Sequence, residues 1–121
     1  PNMILPGLNS GEKIDSKKIA ELTNKCLKES VPSEVPGIAF LSGGQTEKEA
    51  TKNLNEINII NKTNFIMTYS YGRALQQSAL KFWSKNTKDI KGTQATFNHR
   101  ANMCTLASQG KWSKNIEKQD S

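Results

Sequence analysis

Two short stretches of the sequence hold the residue types that grip phosphate. Leu41-Ser42-Gly43-Gly44-Gln45 offers a hydroxyl and two glycines, and Ser70-Tyr71-Gly72-Arg73 offers a hydroxyl, a glycine and a guanidinium. Each follows an apolar run of strand length and precedes an amphipathic run of helical period. Backbone N–H groups at such a helix start have no intrahelical acceptor, and glycine lets them approach an anion with no Cβ in the way. Arginine adds a planar fork that holds phosphate oxygens two at a time. Alone, either stretch reads more simply as a tight turn or a solvated helix start. In successive strand-to-helix loops they would share one phosphate, and the candidate site is Ser42, Gly43, Gly44, Ser70, Gly72 and Arg73.

The other reactive residue types form weaker patterns. Asp15, Glu47, Glu49 and Glu56 fall on helices or their caps, where a capping or solvated role is expected. His99, the single histidine, lies within a helical run and is read as a surface or satisfied side chain. Cys26 and Cys104 each sit in a helical apolar pattern, as buried reduced thiols do, which fits a reducing cytosol. Nothing supports a disulfide between them, and no His/Cys cluster has metal-ligand spacing. Neither metal nor cofactor is expected.

The elements that must position the site follow from apolar spacing. Pro1 to Gly11 is irregular. Asp15 caps a helix with Ile19, Leu22, Cys26 and Leu27 on its buried face, ended by Pro32 and Pro36. Gly37 to Ser42 is apolar on both faces, as a parallel strand covered on two sides should be. Thr46 and Glu49 form a capping-box signature for a second helix facing inward through Ala50, Leu54 and Ile57. Phe65 to Ser70 predicts a second strand. A third helix starts near Arg73, with Leu75, Ala79, Phe82 and Trp83; a fourth carries Ile90, Phe97, Ala101 and Cys104 and is closed by Gly110. Residues 113–121 read as a mobile polar tail.

Helix, strand, helix, strand, helix is the order of a parallel α/β protein with outer helices. Two strands leave an open sheet with free edges, a poor unit on its own, and a complete (β/α)8 barrel needs roughly 250 residues. The 121 residues therefore fit the C-terminal third of a TIM barrel, with 1–121 as part of one domain. Counting glycine and leaving out tyrosine, about 40% of the chain is apolar against the usual 45–50% or so, as expected if buried surfaces face strands that are not here. The charge of +6 favours an anionic partner: a phosphorylated metabolite and a filament surface both satisfy it. Basic residues are dispersed, with Lys17-Lys18 the only adjacent pair and no aromatic interleaving, so nucleic acid is not expected. No run nears the ~20 apolar residues of a membrane span.

Five collinear blocks closely resemble class I fructose-1,6-bisphosphate aldolase: Pro1-Asn2-Met3, Val35 through Ala50 (VPGIAFLSGGQTEKEA), Asn53-Leu54-Asn55, Ser70 through Gln76 (SYGRALQ), and Ala107 through Lys111 (ASQGK). The resemblance implies a TIM barrel in which a lysine amine forms a Schiff base with the ketose C2 carbonyl and the imine acts as electron sink for C3–C4 cleavage. It places that lysine immediately before Pro1, so no catalytic residue is assigned within the chain. It implies that Ser42, Gly43 and Gly44 hold the C1 phosphate and that Ser70 and Arg73 contact substrate phosphate. It also implies a cytoplasmic glycolytic homotetramer without cofactor, whose partners include sugar phosphates and, as a scaffold, actin or acidic receptor tails.

Two departures stand out. The connection around Asn61 to Asn64 is one residue shorter than in the animal form, and no C-terminal tyrosine for proton transfer is present. The segment alone is expected to be inactive and poorly soluble. A non-catalytic anion-binding or scaffold module is the alternative function.

Overall fold

The computed structural model describes residues 1–119. Helix α1 (Ser16–Ser30) starts at Asp15, whose carboxylate accepts the Lys18 N–H at 2.8 Å. Strand β1 (Gly37–Phe40), helix α2 (Glu47–Ile59), strand β2 (Ile66–Tyr69) and helices α3 (Arg73–Lys85), α4 (Ile90–Ala107) and α5 (Lys114–Gln119) follow. The capping box is present: the Thr46 hydroxyl accepts the Glu49 N–H at 3.2 Å, and the Glu49 carboxylate accepts the Thr46 N–H at 2.9 Å. Two amides without helical acceptors are thereby satisfied.

The strands pair in parallel, from Gly37 opposite Ile66 to Phe40 opposite Tyr69. Parallel neighbours need a crossover, which α2 supplies. The ladder runs on past both strands, with the Ser70 N–H donating to the Phe40 carbonyl at 2.8 Å. Leu41 N–H donates to the Pro1 carbonyl, also at 2.8 Å. The Phe40 carbonyl and the Leu41 N–H belong to one trans peptide group and point to opposite edges, so Pro1 lies along β1 on the edge away from β2.

Ile38, Phe40 and Met67 pack under Ala50, Leu54 and Ile57 of α2, and Ile19, Leu27 and Cys104 complete the core from α1 and α4. Burial alternates along β1, and Leu41 and Ile66, on the other face, remain 52% and 72% exposed. The expected cover on both faces is thus corrected: the chain's own helices cover one.

Three further expectations change. On α1 the buried stripe is Ile19, Ala20, Thr23 and Leu27, which leaves Cys26 exposed. Thr23 belongs inside because its hydroxyl accepts the Ile4 N–H at 3.0 Å and ties down the N-terminal segment. On α4 the buried residues are Arg100, Met103, Cys104 and Ala107, while Ile90 and Phe97 face outward. A cation can take the inner face there because carboxylates from α2 and α5 meet it. The 113–121 stretch is not simply a polar tail: Lys114–Gln119 is helical and Glu117 is buried. Residues 120 and 121 lie outside the described part.

Candidate functional site

Both candidate loops leave neighbouring strands at one level, because Phe40 and Tyr69, the last residues of the two strands, are paired with each other. Parallel strands about 4.8 Å apart therefore deliver the loops side by side at their carboxyl ends. In the first loop Gln45 N–H donates to the Ser42 carbonyl at 3.1 Å, closing a turn. Its third residue, Gly44, has φ of 77°, the left-handed geometry that such a turn requires and that glycine adopts without strain. Gly43 is closely approached for another reason. Asn2 Nδ2 donates to its carbonyl at 2.9 Å, and a Cβ would lie 3.1 Å from that nitrogen. Among the described residues, the Gly43 and Gly44 N–H groups have no protein acceptor. Ser42 is buried, and its hydroxyl has no hydrogen-bond partner among the described residues.

In the second loop the buried Tyr71 hydroxyl donates to the Ala50 carbonyl at 2.9 Å, pinning the loop to α2. Burial pushes this phenol far above its ordinary pKa, and Cys104 and Tyr69 add to the shift. Helices α1, α2 and α4 are capped by the side chains of Asp15, Thr46 and Asp89, but α3 begins at Gly72 with no side-chain cap. A Cβ on Gly72 would meet nothing within 4 Å, so that helix start faces open space. Arg73 reaches back across the first loop, donating from Nη2 to the Gln45 carbonyl at 2.6 Å and from Nη1 to Gln77 Oε1 at 3.1 Å. A guanidinium has five N–H donors, and the rest stay available on an exposed side chain. All six candidate residues thus gather at one sheet edge, five of them exposed and Ser42 buried.

Behind this edge lies a buried polar cluster that apolar spacing did not reveal. Glu47, for which a capping or solvated role is expected, has a side chain only 8% exposed. Its carboxylate accepts the Ser78 N–H at 2.6 Å, the Ser78 hydroxyl at 2.8 Å and Arg100 Nε at 3.2 Å. Arg100 also donates to Thr51 Oγ1 at 3.0 Å and to both Glu117 oxygens, at 2.8 and 3.1 Å. His99, expected to be a surface or satisfied side chain, pairs through Nε2 with Glu117, but its buried Nδ1 has no partner among the described residues, so only one ring nitrogen is satisfied. Burial alone would raise the Glu117 pKa, but the hydrogen bonds from Arg100 and His99 outweigh it and hold the carboxyl below its ordinary value. The Cys104 thiol is pushed up by burial, opposed by Thr51 Oγ1 at 3.6 Å. An acidic residue at the first position of a capped helix looks like a dipole complement, which is why Glu47 carried no distinguishing signal.

Comparison with known proteins bears on all of these residues together. A family model described as glycolytic fructose-bisphosphate aldolase class-I matches residues 1–121. Cytosolic fructose-bisphosphate aldolase 4 of Arabidopsis thaliana is 46% identical over 91% of this chain and 28% of its own length. Fructose-bisphosphate aldolase 1 of Caenorhabditis elegans is 46% identical over 93% of this chain and 31% of its own length. The solved aldolase of Plasmodium falciparum, crystallised with TRAP and a small-molecule inhibitor, superposes with a TM-score of 0.88 at 38% identity, covering 93% of this chain and 33% of that one. The chain spans about a third of the length of the relatives it matches, and its α/β fold corresponds to part of their barrel.

Proposed function

Because the chain belongs to the class I fructose-bisphosphate aldolases, we propose that it forms the substrate-phosphate grip of an enzyme that cleaves fructose 1,6-bisphosphate to dihydroxyacetone phosphate and glyceraldehyde 3-phosphate. The observation that carries this is the meeting of two unpaired loop amides, Gly43 and Gly44, with the uncapped start of α3 and the Arg73 guanidinium. Preorganised N–H donors and a fixed cation suit a phosphate dianion, since their dipoles already point where the charge will sit. Ser42 and Ser70 add hydroxyl donors. Their contribution is orientation: they hold the ketose so that its carbonyl meets the amine. That amine, on the family resemblance, belongs to a lysine bonded to Pro1. The Leu41–Pro1 hydrogen bond supports this reading, because it holds Pro1 itself beside the carboxyl end of β1.

Two measurements on the complete enzyme carrying this sequence test the proposal. Borohydride reduction in the presence of dihydroxyacetone phosphate should leave a mass adduct on the lysine preceding Pro1, and an unmodified peptide there would sink the Schiff-base assignment. Arg73→Ala removes charge-assisted hydrogen bonds of about 1.5–3 kcal/mol each. It should therefore raise KM for the bisphosphate roughly ten- to hundredfold, and an unchanged KM would remove the arginine from the site.

A further inference from the structure

We infer that Glu47 is a positioning residue for this phosphate grip, holding α3 in the register at which Arg73 crosses the Ser42–Gln45 loop; the inference rests on the function proposed above. Beside the Tyr71–Ala50 bond just before α3, two ties among the described residues join the α2 side to α3 itself. One is the Arg73 bond to the Gln45 carbonyl at 2.6 Å, at the ligand edge. The other lies two residues further along the α2 side and five further along α3, where Glu47 accepts both the backbone N–H and the hydroxyl of Ser78.

The second tie is unusual in its donor. An amide inside a helix normally donates to the carbonyl four residues back, here that of Ala74, yet the Ser78 N–H lies 2.6 Å from a carboxylate oxygen. Two contacts from one residue to one carboxylate fix both the height and the rotation of α3 against α2. Arg100 Nε, at 3.2 Å, holds the same carboxylate from α4 and keeps its charge paired where water is largely excluded. A buried ion pair is seldom the most stabilising way to fill such a space. Its distinguishing property is direction, and this one fixes Ser78, which lies on the same helix as Arg73 five residues further on. Without it, α3 can slide or turn by a fraction of a residue, and Arg73 would carry that shift directly to the phosphate.

The test uses the complete enzyme and three variants. Glu47→Gln keeps the size but loses one acceptor and the charge. Ser78→Ala removes the hydroxyl tie while Glu47 stays paired with Arg100. Glu117→Gln perturbs Arg100 from its far side without touching Ser78. Positioning predicts that Glu47→Gln raises KM for fructose 1,6-bisphosphate on the order of tenfold with kcat changed less than about twofold. Ser78→Ala should raise KM by several-fold, the Glu47/Ser78 double variant should fall short of the product of the two, and Glu117→Gln should leave KM within about twofold. If Glu47→Gln and Ser78→Ala lose thermal stability but keep the wild-type KM, the role is structural only and the inference fails. If Glu47→Gln does not fold, KM of Ser78→Ala alone decides in the same way. Arg73→Ala run in parallel separates the two levels: no effect there overturns the phosphate site itself, whereas an effect there with none at Glu47 and Ser78 overturns only the positioning role.

Discussion

Replacing Glu117 with alanine should release helix α5 from the body of the protein. The Glu117 side chain is 9% exposed and accepts two hydrogen bonds from Arg100, one from His99 and one from Trp112 Nε1 at 3.3 Å. Removing one partner of a buried ion pair costs about 3–5 kcal/mol, because the other charge is left uncompensated. Arg100 would still hold Glu47 Oε2 and Thr51 Oγ1, so the lower end, about 3 kcal/mol, is the expected loss. At 1.4 kcal/mol per factor of ten, that is roughly a hundredfold rise in the opening equilibrium of α5. Amide hydrogen exchange read by mass spectrometry on peptides covering 113–119 measures it directly. Protection reduced by less than about threefold would refute the claim that this ion cluster docks the helix. Acid provides a second view. The folded pKa of Glu117 lies below its unfolded value, so the stabilisation is complete above that unfolded value, about 4.5, and fades as pH falls through the lower folded value. Exchange in α5 should therefore rise, beyond its intrinsic pH dependence, only in that acid window, and the Glu117→Ala protein should lack the step.

Three further outcomes are expected. Gly44→Ala places a side chain at a φ of 77° and should destabilise the loop by roughly 1–2 kcal/mol, measured as a lower denaturation midpoint. Leu54→Ala empties a fully buried site in α2 and should cost about 2–5 kcal/mol in unfolding; a loss below 1 kcal/mol would mean that α2 is not the centre of the core. A thiol reagent should label the exposed Cys26 rapidly and the buried Cys104, whose thiol burial pushes up, only on unfolding; two fast-reacting thiols in the native protein would contradict this.

Much of the molecule was legible in the residues themselves. The Asp15 and Thr46–Glu49 caps, the parallel order of strands and helices, and the two glycine-containing loops at the strand ends all depend on neighbours within a few positions, so short-range spacing encodes them. What spacing could not encode was the outcome of contacts between distant elements. Nothing near Arg100 announces that Glu47, 53 residues away, and Glu117 would neutralise it, so α4 was expected to turn Ile90 and Phe97 inward, when in fact the paired cation lies there. Glu117 likewise makes a helix of a stretch read as a polar tail, because burying its charge against Arg100 and Trp112 gives those residues a reason to be ordered. Cys26 was misplaced because Thr23 won the inner face through a hydrogen bond to Ile4, which periodicity does not count. The residue types of the candidate site are thus written along the chain, but their meeting at one edge, and the carboxylate behind it that ties α2 to α3, come from the parallel register and the ion cluster that tertiary packing assembles.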